Sequence, residues 1–225
     1  MIIALCILYT VSLAWYVRRS LCDDFAAQLA LKTITSCLFI LIAYACYTQA
    51  RGSRAYFLLM LSALISSLIG DVFIQMQRRT GAFTRYAFLC GGMAFFAAHL
   101  LFAWAFSLMA GFEWIDGAVL VALLVAMLCI FRALHLEFGK LRPLCILYAA
   151  AILLMFTKAL SVWYTGGEAI AVLLVCGGAL FVASDTMLAL KNFHPRYRHN
   201  APLALAVTFT YYTAQLLFAL SILYV

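Results

Sequence analysis

The amino-acid sequence predicts an all-α membrane protein, an eight-transmembrane-helix bundle. Three observations predict it. Of 225 residues, 68% are apolar and only 10% charged, where an ordinary soluble domain has about 45–50% and about 25%. The apolar residues gather in runs close to the roughly 20 residues that cross hydrocarbon. The short breaks between the runs hold most of the basic residues.

In chain order, the first run covers 2–17 and stops at Arg18 and Arg19. A secretory signal would place its basic residues first and a small-residue cleavage site after, so this run reads as a retained helix. The second, 31–48, opens on Leu31-Lys32, and the third, 55–75, carries Gly70-Asp71 near its end. The fourth, 83–108, carries His99, and the fifth is 115–131. The sixth, 143–164, follows Leu141-Arg142, and the seventh, 169–190, carries Ser184-Asp185. The eighth, 202–225, starts at Pro202, a residue suited to the first turn of a helix. With three prolines and no low-complexity stretch, residues 1–225 read as one transmembrane domain.

The net charge of +7 does not mark a nucleic-acid binder, because the basic residues lie in short loops between apolar runs. The loops after runs one, three, five and seven, with their flanks, hold Arg18, Arg19, Arg78, Arg79, Arg85, Arg132, Lys140, Arg142, Lys191, Arg196 and Arg198. The other loops hold Arg51 and Arg54. Basic residues mark the cytoplasmic side, so both termini are expected on the opposite side. In a bacterium this would be an inner-membrane protein. The eight cysteines form no C-x-x-C pair and mostly sit in apolar runs, where they act as small hydrophobes rather than as a disulfide framework.

An internal repeat is visible. Phe95-Phe96-Ala97-Ala98-His99-Leu100-Leu101-Phe102-Ala103 aligns with Tyr211-Tyr212-Thr213-Ala214-Gln215-Leu216-Leu217-Phe218-Ala219. Upstream, Gly70-Asp71 aligns with Ser184-Asp185, and Leu31-Lys32 with Leu141-Arg142. Each half reads basic residue, Asp, then His or Gln. Four helices per half make the expected repeat parallel, about an axis along the membrane normal.

Ionisable groups inside a membrane are expensive and default to function. Asp71 and Asp185 are the carboxylates well inside a run, each about 10 Å of helix from the basic end. Two buried acids suit general acid–base work. The competing reading is that each simply pairs with Lys32 or Arg142. His99 and Gln215 lie about 21 Å along their helices and serve a substrate pocket or bond neighbouring helices. Tyr212 lies on nearly the same face as Gln215. Lys158, near the far end of run six, is expected to snorkel to the interface. His135, His194 and His199 read as solvated loop residues, and no metal-binding spacing is present. Gly91-Gly92 and Gly177-Gly178 read as close-packing points between helices.

These residues resemble the lysoplasmalogenase family of YhhN-like membrane proteins. The resemblance rests on Leu31-Lys32, Ile69-Gly70-Asp71-Val72, Phe96 to Phe102, Gly178 to Thr186, and Tyr211 to Leu217. It runs from helix two to helix eight. Thr33 replaces a usual Pro and Phe102 a usual Tyr. The resemblance implies hydrolysis of the vinyl ether bond of lysoplasmalogens to a fatty aldehyde and a glycerophospho-head group. Asp71 and Asp185 would be catalytic, and Lys32, His99, Tyr212 and Gln215 would bind a lysophospholipid drawn from the bilayer. No cofactor is required by that scheme. A transporter with a polar site between repeats is the alternative.

Overall fold

The computed structural model describes residues 1–20, 22, 24–77, 83–166, 168–198 and 200–225. Arg78, Arg79 and His199, invoked above for topology and loop chemistry, lie outside the described residues. Among the described residues are eight long helices: α1 (Ile2–Ser20), α2 (Phe25–Ala50), α3 (Arg54–Met76), α4 (Phe83–Ala110), α5 (Trp114–Ala133), α6 (Arg142–Tyr164), α7 (Glu168–Phe193) and α8 (Ala201–Ser221). Each is long and apolar enough to cross a membrane. Large apolar side chains point outward along them, among them Leu41, Ile69, Trp104, Val121, Leu147 and Phe209. Buried positions meanwhile include Asp71, His99, Lys158 and Gln215. Apolar groups outside and charged groups inside is the arrangement lipid demands. The chain is an integral, multi-pass membrane protein.

The helix ends follow local chemistry. Asp24 caps α2 by accepting from the Ala27 N–H at 3.0 Å, and Ser53 caps α3 by accepting from Tyr56 N–H at 3.3 Å. Helix α2 stops where Arg51 turns left-handed. Pro143 stands in the first turn of α6. Because α2 begins at Phe25, Lys32 does not open this helix; it stands two turns inside. Polar residues such as Gln28 had hidden those first turns from a reading of apolar runs. Arg142 does open α6.

The chain divides into two compact units whose boundaries fall inside α4 and α8. The first comprises Met1–Ala105 and Phe218–Val225. Here α2 packs between α1 and α3, and the turn Ile222–Tyr224 lies on α2. Tyr56 and Ser221 share a hydrogen bond of 2.9 Å, and the rings of Phe102 and Phe218 stand 4.7 Å apart. Helices α3 and α4 approach closely. A Cβ at Gly70 would lie 2.7 Å from the Phe95 ring, and one at Gly91 would lie 2.9 Å from Ile74. Gly92, expected to share in that packing, faces open space.

The second unit is Phe106–Leu217. Helix α6 packs on both α5 and α7. Gly178 gives close approach to Phe156, whose ring a Cβ would meet at 2.9 Å. At one end Phe138 rests on Phe131 and Phe193, and Glu137 N–H donates to the Phe193 carbonyl at 3.0 Å. All eight cysteines are free.

Candidate active site

Asp71 is 1% exposed, five residues before the end of α3. Helix α2 presents it with two donors one turn apart, Lys32 and Ser36. Residues four apart stand on one face of a helix, so both reach the same carboxylate. The Lys32 ammonium is 3.1 Å from Oδ1, and the Ser36 hydroxyl donates to Oδ2 at 2.6 Å. One turn nearer the helix end a second polar pair repeats the arrangement. Gln75 donates to the Gln28 carboxamide oxygen at 3.1 Å, while Gln28 donates to the Cys22 carbonyl at 2.6 Å. Gln28, Lys32 and Ser36 thus form one polar stripe on α2, facing Asp71 and Gln75 on α3. Of these, sequence reasoning singled out Lys32 and Asp71. Gln28 and Ser36 were legible only as polar residues four before and four after Lys32, once α2 is known to start at Phe25, and Gln75 only as the polar residue four after Asp71.

In the second unit Asp185 accepts a hydrogen bond from the Tyr148 hydroxyl at 2.5 Å. Tyr148 lies on α6, just as Lys32 and Ser36 lie on α2. Each acid is therefore held by the helix that precedes its own. Arg142, the residue aligned with Lys32, is exposed. Tyr148 was not foreseen, because a Tyr within an apolar run carries no signal of its own. The neighbouring Ser184 donates to the Val207 carbonyl at 3.1 Å, tying α7 to α8.

His99 is fully buried in the first unit. Tyr212 and Gln215 are buried in the second, and Gln215 donates to the hydroxyl of Tyr211, not Tyr212, at 3.1 Å. The Tyr212 ring stands beside that of Tyr211 at 4.9 Å. Among the described residues no cluster of three His, Cys, Asp or Glu is placed to hold a metal ion.

Lys158 does not snorkel. It is fully buried, and its ammonium reaches the Asp116 carboxylate at 2.8 Å, Ser161 at 3.2 Å and the Gly111 carbonyl. Asp116 also accepts from the Tyr164 hydroxyl and from Glu113 N–H at 3.0 Å. Three ammonium donors meeting three acceptors make burial of this lysine tolerable. The Phe112 ring lies 4.7 Å from the ammonium and adds a cation–π contact.

Carboxylates within spanning helices, one buried and one half-buried, each held by donors from the preceding helix, define a class: polytopic membrane proteins with acidic centres within the bilayer. Within that class the chain belongs to the YhhN family, whose model matches residues 27–222. It is similar to the lysoplasmalogenase TMEM86B of Sus scrofa, 30% identical over 84% of this chain and 74% of the relative. The human protein of the same name is 29% identical over 84% and 74%. That of Mus musculus is 33% identical over 79% and 68%. No solved structure matches.

Proposed function

We propose that this protein is an intramembrane hydrolase that cleaves the vinyl ether bond of lysoplasmalogens, releasing a fatty aldehyde and a glycerophospho-head group. The observation that carries the reading is Asp71, a membrane-buried acid held by Lys32 and Ser36, in a chain whose relatives are named lysoplasmalogenases.

The chemistry needs few groups. A proton adds to the β-carbon of the vinyl ether and leaves an oxocarbenium ion. Water adds to the cationic carbon and loses a proton, and the hemiacetal collapses to aldehyde and alcohol. The slow first step needs a placed acid, and the cation needs a nearby anion. Asp71 and Asp185 are the two candidates for these roles. A single carboxyl group can also serve both steps in turn, giving up its proton and then taking one from water. Lys32 supplies positive charge for a lipid phosphate, and His99, Tyr212 and Gln215 supply polar contacts for the substrate. The odd-numbered loops face the cytoplasm in this reading, and both termini face the other side.

The test is aldehyde release from lysoplasmalogen by the purified protein in detergent micelles or vesicles. Asp71→Asn and Asp185→Asn are each expected to lower the rate by 100-fold or more while leaving the protein folded. Uptake of lysoplasmalogen into vesicles without aldehyde release would reject hydrolysis in favour of transport. The topology is tested by single cysteines at Lys140 and Phe112 in a cysteine-free background. An impermeant thiol reagent applied from the cytoplasmic side should label the first and spare the second.

A further inference from the structure

We propose that Ser36 is a positioning residue for Asp71, which together with Lys32 keeps that side chain in the acceptor form facing the cation of the reaction. The inference rests on the hydrolase reading and deepens it. Each oxygen of Asp71 accepts a bond from α2: Oδ1 from Lys32 at 3.1 Å and Oδ2 from Ser36 at 2.6 Å. An ionised carboxylate is acceptor-only, whereas a protonated one must turn an O–H toward a partner that accepts it. An ammonium has no acceptor site to offer, so the Lys32 contact calls for the anion, and the Ser36 hydroxyl, free to turn either way, then donates to it. The surroundings of Asp71 therefore satisfy its anionic form.

The geometry also fixes where the carboxylate points. One donor allows rotation about the bond to the carboxyl group; two donors one helical turn apart do not. Three nearby hydroxyls serve their own backbone: Thr33 donates to the Leu29 carbonyl, Ser62 to Leu58 and Ser67 to Ala63. Ser36 instead reaches across to the next helix. Gly70, one residue before Asp71, admits the Phe95 ring against α3, so the backbone that carries the acid is held as well. An anion fixed in this way stabilises a developing oxocarbenium ion without having to reorganise during the reaction.

The experiment compares wild type, Ser36→Ala, Ser36→Cys and Ser36→Thr in the aldehyde assay, with unfolding in detergent followed alongside. Loss of a hydrogen bond to a charged group predicts a kcat about 10–100-fold lower in Ser36→Ala. KM should stay within about twofold, since Ser36 supports the acid and not the lipid. Ser36→Cys keeps the volume and replaces the hydroxyl by a weak donor, so it should lose kcat similarly even if the alanine variant fails to fold. Ser36→Thr keeps the hydroxyl and should retain at least half of kcat. Full kcat in the cysteine or alanine variant, or a loss that falls on KM alone, overturns the role of Ser36. An inactive but folded threonine variant overturns it too. If wild type itself releases no aldehyde, the hydrolase reading falls, and that failure is distinct from these outcomes.

Discussion

Lys32 and Asp71 meet 3.1 Å apart between α2 and α3, with the lysine side chain 12% exposed and the aspartate 2%. Removing one partner of such a pair strands a charge, which costs about 3–5 kcal/mol, whereas replacing both by apolar groups is often close to neutral. Lys32→Met should therefore destabilise the protein by about 3 kcal/mol or more, and Lys32→Met with Asp71→Leu should recover most of it. Unfolding in detergent measures both. An additive double variant would show that the two side chains are not coupled.

Tyr148 donates to Asp185, so Tyr148→Phe removes one bond to the acid and little else. Aldehyde release should drop about tenfold while stability changes by less than about 3 kcal/mol. The rate and the unfolding curve, measured on the same preparation, check the two halves of this expectation. An unchanged rate would separate Tyr148 from the chemistry.

Lys158 holds Asp116, Ser161 and the Gly111 carbonyl together. A lysine reaching the interface would tolerate Met, but this one would leave a buried carboxylate and two further acceptors behind. Lys158→Met should cost about 3–5 kcal/mol, and Asp116→Asn in the same chain should restore part of it. Because Lys158 lies ten residues along α6 from Tyr148, about 15 Å of helix, kcat of the surviving folded protein should stay near wild type.

Two glycines of the packed helices give opposite expectations. Gly70→Ala must push aside the Phe95 ring, 2.7 Å from the new carbon, at about 1–3 kcal/mol. Gly92→Ala meets nothing within 4 Å, and its better helix propensity should stabilise by up to about 1 kcal/mol. Unfolding midpoints of the two variants should move in opposite directions.

Most of the fold was legible because apolar run length and basic loops are one-dimensional signals. The ends that moved were polar at the start: Asp24 and Gln28 belong to α2 through a cap and a buried bond from Gln75, neither of which an apolar run displays. The acids were legible because a carboxylate within an apolar run is conspicuous. Their partners were not. Tyr148 is 37 residues from Asp185, and Ser36 is 35 from Asp71, so only the packing of helices selects them. Lys158 was misread for the same reason. The snorkelling rule assumes a lipid-facing lysine, and Asp116, 42 residues away, turns this one inward.

The first compact unit includes residues 218–225, with Phe218 against Phe102 and Ser221 bonded to Tyr56. During synthesis these residues leave the ribosome after every other part of that unit has been inserted. The first four helices must therefore wait in the bilayer without the Ser221 bond to Tyr56 and the Phe218 ring against Phe102 until the end of α8 arrives. Assembly of the unit that begins with α1 is timed by residues 218–225, and nascent chains halted before residue 218 should remain open to proteolysis in α1 to α4.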